Sequence, residues 1–145
     1  MTGKVVAVNI SERTGVRKTN VGKAKALKNF GLEGDAHAGN WHRQVSLLAQ
    51  ESIDKMRSFG LTLSPGDFAE NITTSGIDLL SLDIGAKIKV GNALLEVTQK
   101  GKSCHVGCEI RKLVGDCIMP REGIFARVLE EGEIEVGDEI EVQEK

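Results

Sequence analysis

Ile84-Gly85-Ala86-Lys87-Ile88-Lys89-Val90-Gly91-Asn92-Ala93-Leu94-Leu95-Glu96-Val97 is the stretch on which the fold turns. Apolar residues recur with period two up to Val90, the pattern pauses at Gly91-Asn92, and it resumes in Leu94, Leu95 and Val97. That is the pattern of two strands joined by a two-residue hairpin turn. Near the end of the chain Val136-Gly137-Asp138-Glu139-Ile140-Glu141-Val142 repeats the same order of branched apolar residue, Gly, two variable positions, Ile, charge and Val. Two copies so far apart cannot stack as a solenoid, so they are read as two similar strand starts in one barrel. Val5, Ala7, Asn9 and Ser11 interleave with Val6, Val8 and Ile10, which predicts a first strand over residues 3–10 buried on both faces. Residues 124–129 supply another strand. The 17 glycines against 2 prolines fit many tight turns between short elements, again favouring a strand-rich fold.

Helical periodicity is confined to two places. After Arg43-Gln44-Val45-Ser46-Leu47-Leu48, the residues Ile53, Met56 and Phe59 recur at spacing three, Glu51 and Lys55 form an i,i+4 pair, and Gly60 offers a stop. Further on, Val106, Ile110, Leu113, Val114 and Cys117 form a single apolar stripe. With 145 residues and no composition break, the expectation is one domain over residues 1–145. An odd cysteine count, the lack of a charged-then-apolar leader and the lack of a long apolar run predict a cytoplasmic, non-membrane protein with reduced thiols. A net charge of -2 without a basic block argues against nucleic acid as a partner.

All three cysteines fall in Cys104-His105-Val106-Gly107-Cys108-Glu109-Ile110-Arg111-Lys112-Leu113-Val114-Gly115-Asp116-Cys117. If the apolar stripe faces the core, Cys117 packs as a small hydrophobe, whereas Cys108 lies on the opposite face with Arg111 and Lys112 at i+3 and i+4. Cys104 precedes the helix, where the positive end of the dipole with Lys100, Lys102 and His105 stabilises a thiolate. Those are the conditions for a reactive sulfur, so Cys104 and Cys108 are the candidate catalytic residues. Zinc would want a second ligand pair and an iron-sulfur cluster four thiolates, and neither is present. Simple packing of one or two thiols is the plain alternative.

A second candidate is Gly31-Leu32-Glu33-Gly34-Asp35-Ala36-His37-Ala38-Gly39-Asn40-Trp41-His42-Arg43, which has the character of a binding loop. Glycines allow close approach of a ligand, His37 and His42 are residues of the type that titrates near neutrality, and Arg43 can hold a phosphate or carboxylate in two-point fashion. The same composition also describes a glycine-rich turn with solvated side chains. Pro65-Gly66-Asp67-Phe68-Ala69-Glu70-Asn71-Ile72-Thr73-Thr74 begins as an ordinary turn, with Glu70 and Asn71 readable as strand-edge residues.

Taken in order, these segments resemble the MOSC domain, the C-terminal domain of molybdenum cofactor sulfurases. Gly34 to Gly39 followed by Arg43 to Leu48, then Pro65 to Thr74, look like its first blocks, and Cys104 sits where the family has its characteristic cysteine. Arg121-Glu122-Gly123-Ile124-Phe125-Ala126-Arg127-Val128 with Gly137-Asp138 look like its closing block. Ser103 stands where the family commonly has Pro. The resemblance implies a mainly β fold: a closed, largely antiparallel β-barrel of the pyruvate-kinase-barrel kind with a few short α-helices. It also implies a molybdenum-pterin cofactor, with Asp35, His37, Arg43 and Asn71 lining its pocket and Lys100, Lys102 and Arg111 adding cations for its phosphate. Cys104 would be a persulfide carrier or a metal ligand. Pyridoxal phosphate would belong to a partner cysteine desulfurase, since this chain has no room for that domain. A molybdoenzyme would receive the sulfur. Two alternatives follow from the same resemblance: a molybdenum-dependent reductase of N-hydroxylated compounds served by an electron-donor protein, and a non-catalytic cofactor-delivery module.

Overall fold

The computed structural model describes residues 2–13, 16–57, 64–100 and 123–143. Seven strands close into a barrel: β1 (Thr2–Ile10), β11 (Glu139–Gln143), β7 (Lys87–Val90), β8 (Ala93–Lys100), β9 (Ile124–Glu130), β5 (Val45–Ala49) and β6 (Ile72–Ser75), the last pairing back onto β1. Every pairing is antiparallel except β5 with β6. Closure removes the free strand edges that would otherwise invite association. The barrel interior is filled by Val5, Val8, Val45, Leu47, Ile72, Ile88, Leu95, Val97, Ile124, Val128 and Ile140, all buried. A small satellite sheet of β10 (Gly132–Glu135), β3 (Lys23–Leu27) and β4 (Gly31–Leu32) lies outside this ring, and β2 (Thr19–Asn20) pairs with the end of β1.

The two repeated strand starts become partners. β7 and β11 pair antiparallel with Ile140 opposite Val90 and Val142 opposite Ile88, so equivalent residues exchange places across a local two-fold. Gly85 and Gly137 precede them with φ of 94° and 93°, the left-handed turn that lets each chain enter the wall. Ile88 and Ile140 face the core, while Lys89 lies opposite Glu141 on the outer face, a favourable cross-strand charge pair.

β1 is not uniformly buried on both faces. Its first half alternates, and a bulge between Val5 and Ala7 against β6 then shifts the phase by one residue. Val5 and Val8 therefore both point into the barrel, and the bulge sends Asn9 to the outer face. The predicted helix is α1 (Gln50–Arg57), with Ile53 buried; Phe59 and Gly60 lie outside the described residues, as does the second predicted helix. No helix among the described residues is long and apolar enough to cross a membrane.

Candidate functional site

The loop between β4 and β5 is built on backbone constraints. Gly31 has φ 124°, and a Cβ there would lie 2.7 Å from the Gln44 carbonyl, so the two ends of the loop touch. Gly34 (φ 87°) then turns the chain to bury Asp35. The Asp35 carboxylate gathers donors from three places: Ser11 N at 3.1 Å and Lys18 Nζ at 2.7 Å on Oδ1, and His37 N at 3.2 Å on Oδ2. Lys18 and Asp35 side chains are 1% and 0% exposed, a fully desolvated ion pair. Beyond it Trp41 Nε1 donates to the His37 carbonyl at 2.8 Å, and the two rings are nearly parallel with centroids 6.2 Å apart.

From this turn the chain crosses the outer wall of β8 and β9. His42 Nε2 lies 2.9 Å from Gln99 Oε1, and Thr98 Oγ1 donates to the His42 carbonyl, using the bulge between Val97 and Gln99. The Arg43 guanidinium lies 4.6 Å from the Trp41 ring centre and 5.6 Å from that of Phe125. Its Nε is buried with no hydrogen-bond partner among the described residues. Two rings thus hold a cation in place while one of its donors is left open, an arrangement suited to an anion. Gln44 fixes the entry to β5, accepting from Val128 N at 2.9 Å and donating to Asn29 Oδ1 at 3.1 Å.

The cysteine-bearing connection is anchored on the same wall. Lys100 pairs with Ile124, and Gln99 with Phe125, so both anchor points adjoin the residues that carry His42 and Arg43. Cys104, Cys108, Cys117, Lys102, His105 and Arg111 themselves lie outside the described residues, and with them the metal-ligand assignment of Cys104. Lys100 is exposed at the end of β8. A separate cleft of about 470 Å³ lies at the far end of β5, between the start of α1 and the turn after β6; none of the loop residues lines it.

The profile of the MOSC domain matches residues 34–141, most of the chain. The chain belongs to the MOSC domain family. That family is associated with the molybdenum cofactor. The fold agrees with solved structures: the YuaD protein of Bacillus subtilis has a TM-score of 0.82 at 23% identity over 98% of this chain and 96% of that one. YiiM of Geobacillus stearothermophilus has a TM-score of 0.74 at 21% identity, covering 98% of this chain and 75% of that one. YiiM of Escherichia coli has 0.71 at 21% identity, covering 100% and 71%. Comparison with curated proteins gives no match.

Within this MOSC barrel Asp35, His37 and Arg43 are brought together in one loop, whereas Asn71 is spent on the frame. Its Oδ1 accepts from Ser46 N and Oγ at 2.9 and 3.2 Å, and its Nδ2 donates to the Asn9 carbonyl at 3.1 Å, tying β5 to β1 across β6. Sequence reasoning misses Lys18, Asn9, Gln99 and Phe125, and it treats Glu70 as an edge residue although its side chain is fully buried. Burial pushes the Glu70 carboxyl up from 4.5 to about 6, against hydrogen bonds from Gly66 N, Thr73 and the backbone of Glu70 and Phe68. The folded chain therefore binds more protons than the unfolded chain between about pH 4.5 and 6, so stability falls as pH rises through that window. Urea unfolding of wild type relative to Glu70→Gln is expected to show a loss of about 2 kcal/mol between pH 4.5 and 7. Equal pH dependence of the two proteins would refute it.

Proposed function

We propose that this chain binds the molybdenum-pterin cofactor against the outer wall of β5, β9 and β8 and carries sulfane sulfur on Cys104 for sulfuration of that cofactor. The observation that carries the reading is Arg43, held between Trp41 and Phe125 with a buried, open Nε beside the anchors of the cysteine connection. The residues present fit a phosphate-bearing pterin. Arg43 would hold the phosphate by charge-assisted hydrogen bonds, with Lys100, and from the connection Lys102 and Arg111, adding cations. Asp35 and Asn71 act behind it by fixing the loop and the strand it enters. When bound, the group supplies two-electron chemistry at molybdenum.

The chain's own chemistry is thiol exchange. The Cys104 thiolate attacks the terminal sulfur of a persulfide on a partner cysteine desulfurase, a pyridoxal-phosphate protein; the S–S bond breaks, the donor cysteine leaves as thiolate, and Cys104 becomes the persulfide. Electrons balance without an added oxidant. Cys108 is placed in sequence to resolve that persulfide. The reduced thiols this requires fit a cytoplasmic setting.

Two measurements test the reading. Arg43→Ala is expected to weaken anaerobic binding of molybdenum-pterin about tenfold or more; unchanged binding removes the phosphate role. Wild type incubated with a cysteine desulfurase and cysteine should gain one sulfur, about 32 Da by intact mass, and Cys104→Ser should not. An equal adduct on Cys104→Ser removes the carrier role, and molybdenum retained stoichiometrically with no sulfur adduct favours a reductase in which Cys104 is a metal ligand.

A further inference from the structure

A buried polar cluster lies between β1, β6 and the turn that precedes β6, and the cofactor reading leaves it unused. Gly66 (φ 93°) and Ala69 (φ 62°) curl residues 64–70 so that the Glu70 carboxylate returns into its own turn. Its Oε2 accepts from Gly66 N at 3.0 Å and from Thr73 Oγ1 at 2.6 Å. Asn9, sent outward by the bulge in β1, donates from Nδ2 to Thr73 Oγ1 and to the Glu70 carbonyl, each at 3.1 Å. Two acceptors in this buried cluster, Glu70 Oε1 and Asn9 Oδ1, have no donor among the described residues. Buried acceptors without donors are costly, so the cluster is short of hydrogens.

The cluster connects to the site loop without a break. Lys18 N donates to the Gly66 carbonyl at 2.8 Å. Lys18 Nζ donates to Asp35 Oδ1 at 2.7 Å and to Ser11 Oγ at 3.1 Å, and Asp35 Oδ2 holds His37 N at 3.2 Å. The His37 carbonyl in turn accepts from Trp41 Nε1. From Glu70 to Trp41 the links are hydrogen bonds, the peptide groups flanking Gly66 and His37, the Asp35 carboxylate and the buried side chain of Lys18.

We propose that Glu70 is a proton-linked positioning residue for the His37–Trp41 turn, its protonation state passing through Gly66 and Lys18 to Asp35 and the His37 backbone. A proton on the carboxyl relieves the bare Oε1 and weakens the pull on Gly66 N; the carboxylate holds Gly66 N and Thr73 tightly and leaves Oε1 bare. The two states therefore differ in the grip on the Gly66 turn, which is the differential interaction that any coupling requires. Burial has moved the carboxyl into the range where both states are populated near neutrality. The ionisable groups along the network are Lys18 and Asp35, which form an ion pair, the His37 imidazole stacked on Trp41, and Asp67 on the Gly66 turn, whose carboxylate accepts from Ser64 N. From β6, Thr73 donates to the carboxyl, and from β1, Asn9 donates to Thr73 and to the Glu70 carbonyl; neither residue is ionisable. The effect on cofactor binding rests on the function proposed above, whereas the positional link does not.

Trp41 is the single tryptophan of the chain and reports the turn directly. The experiment is a fluorescence titration from pH 5 to 7.5, without ligand, in a background with His37, His42 and His105 all replaced by Gln, so that no imidazole remains to quench the indole. The expected result is a transition near pH 6, lost in Glu70→Gln and moved up by about one unit in Thr73→Val, which removes a donor from the carboxylate. A flat response in the parent, or the same midpoint in Glu70→Gln, overturns the proposal; should Glu70→Gln fail to fold, an unmoved midpoint in Thr73→Val does so. Because no cofactor is present, a negative result here leaves the binding assays untouched, and the reverse also holds.

Discussion

Asp35→Ala is expected to destabilise the protein by about 3–5 kcal/mol, because it leaves the Lys18 ammonium buried without its counter-charge. Lys18 Nζ keeps its contact with Ser11 Oγ, but its side chain is 1% exposed, so water cannot replace the carboxylate without opening the loop. The backbone N–H groups of Ser11 and His37 lose their acceptor in the same step. Lys18→Met should cost less, since the Asp35 carboxylate retains those two backbone donors. The double variant Lys18→Met/Asp35→Leu should recover much of the loss, as buried ion pairs replaced by apolar residues of similar size often are neutral. Urea unfolding of wild type, Asp35→Leu, Lys18→Met and the double variant gives the coupling as a double-mutant cycle. Additive costs, or a mild Asp35→Ala, would show that the pair is not holding the loop. Trp41 emission should shift to the red in Asp35→Ala, because the turn that shelters the indole is held by the same carboxylate.

The parts of this fold that can be read in the chain are those where one face is buried and the other is wet. β7 and β8 alternate cleanly, and the grammar that β7 shares with β11 extends to their being partners in the sheet. β5 hides in Val45-Ser46-Leu47-Leu48 because it is covered on both sides: Val45 and Leu47 face the barrel, and Leu48 is buried against the outside, so no period survives. β2 and β4 are two residues long and carry no pattern at all, and β3 alternates Lys with Ala, a contrast too weak to mark a core face. At the site, composition exposes the loop around Asp35, His37, Trp41 and Arg43. It does not expose what holds the loop. Lys18 reads as a surface lysine, and its partner lies 17 residues away; Asn9 reaches Thr73 across 64 residues. Such pairings exist only once the barrel closes, and a bulge that no residue type announces decides which way Asn9 points.

Gly66→Ala is expected to cost about 3 kcal/mol or more, and the comparison with Gly137→Ala separates its two causes. Both glycines have φ of 93°, so an alanine bears the same left-handed backbone penalty, about 1–2 kcal/mol, at either position. Gly137 has nothing within 4 Å of a new Cβ, so that penalty is its whole effect. At Gly66 the Cβ would sit inside contact distance of the Lys18 carbonyl oxygen and 3.0 Å from the Lys18 carbonyl carbon. These are backbone atoms, and the Lys18 N–H is bonded to the Gly66 carbonyl, so neither partner can step aside alone. The turn must therefore lift from the Lys18 segment, which also draws Gly66 N away from Glu70 and slackens the path to Asp35. Thermal or urea unfolding of the two variants should differ by about 2 kcal/mol. Equal costs would mean that the turn yields freely, and the link from Glu70 to the His37–Trp41 turn would then have no rigid element to travel through.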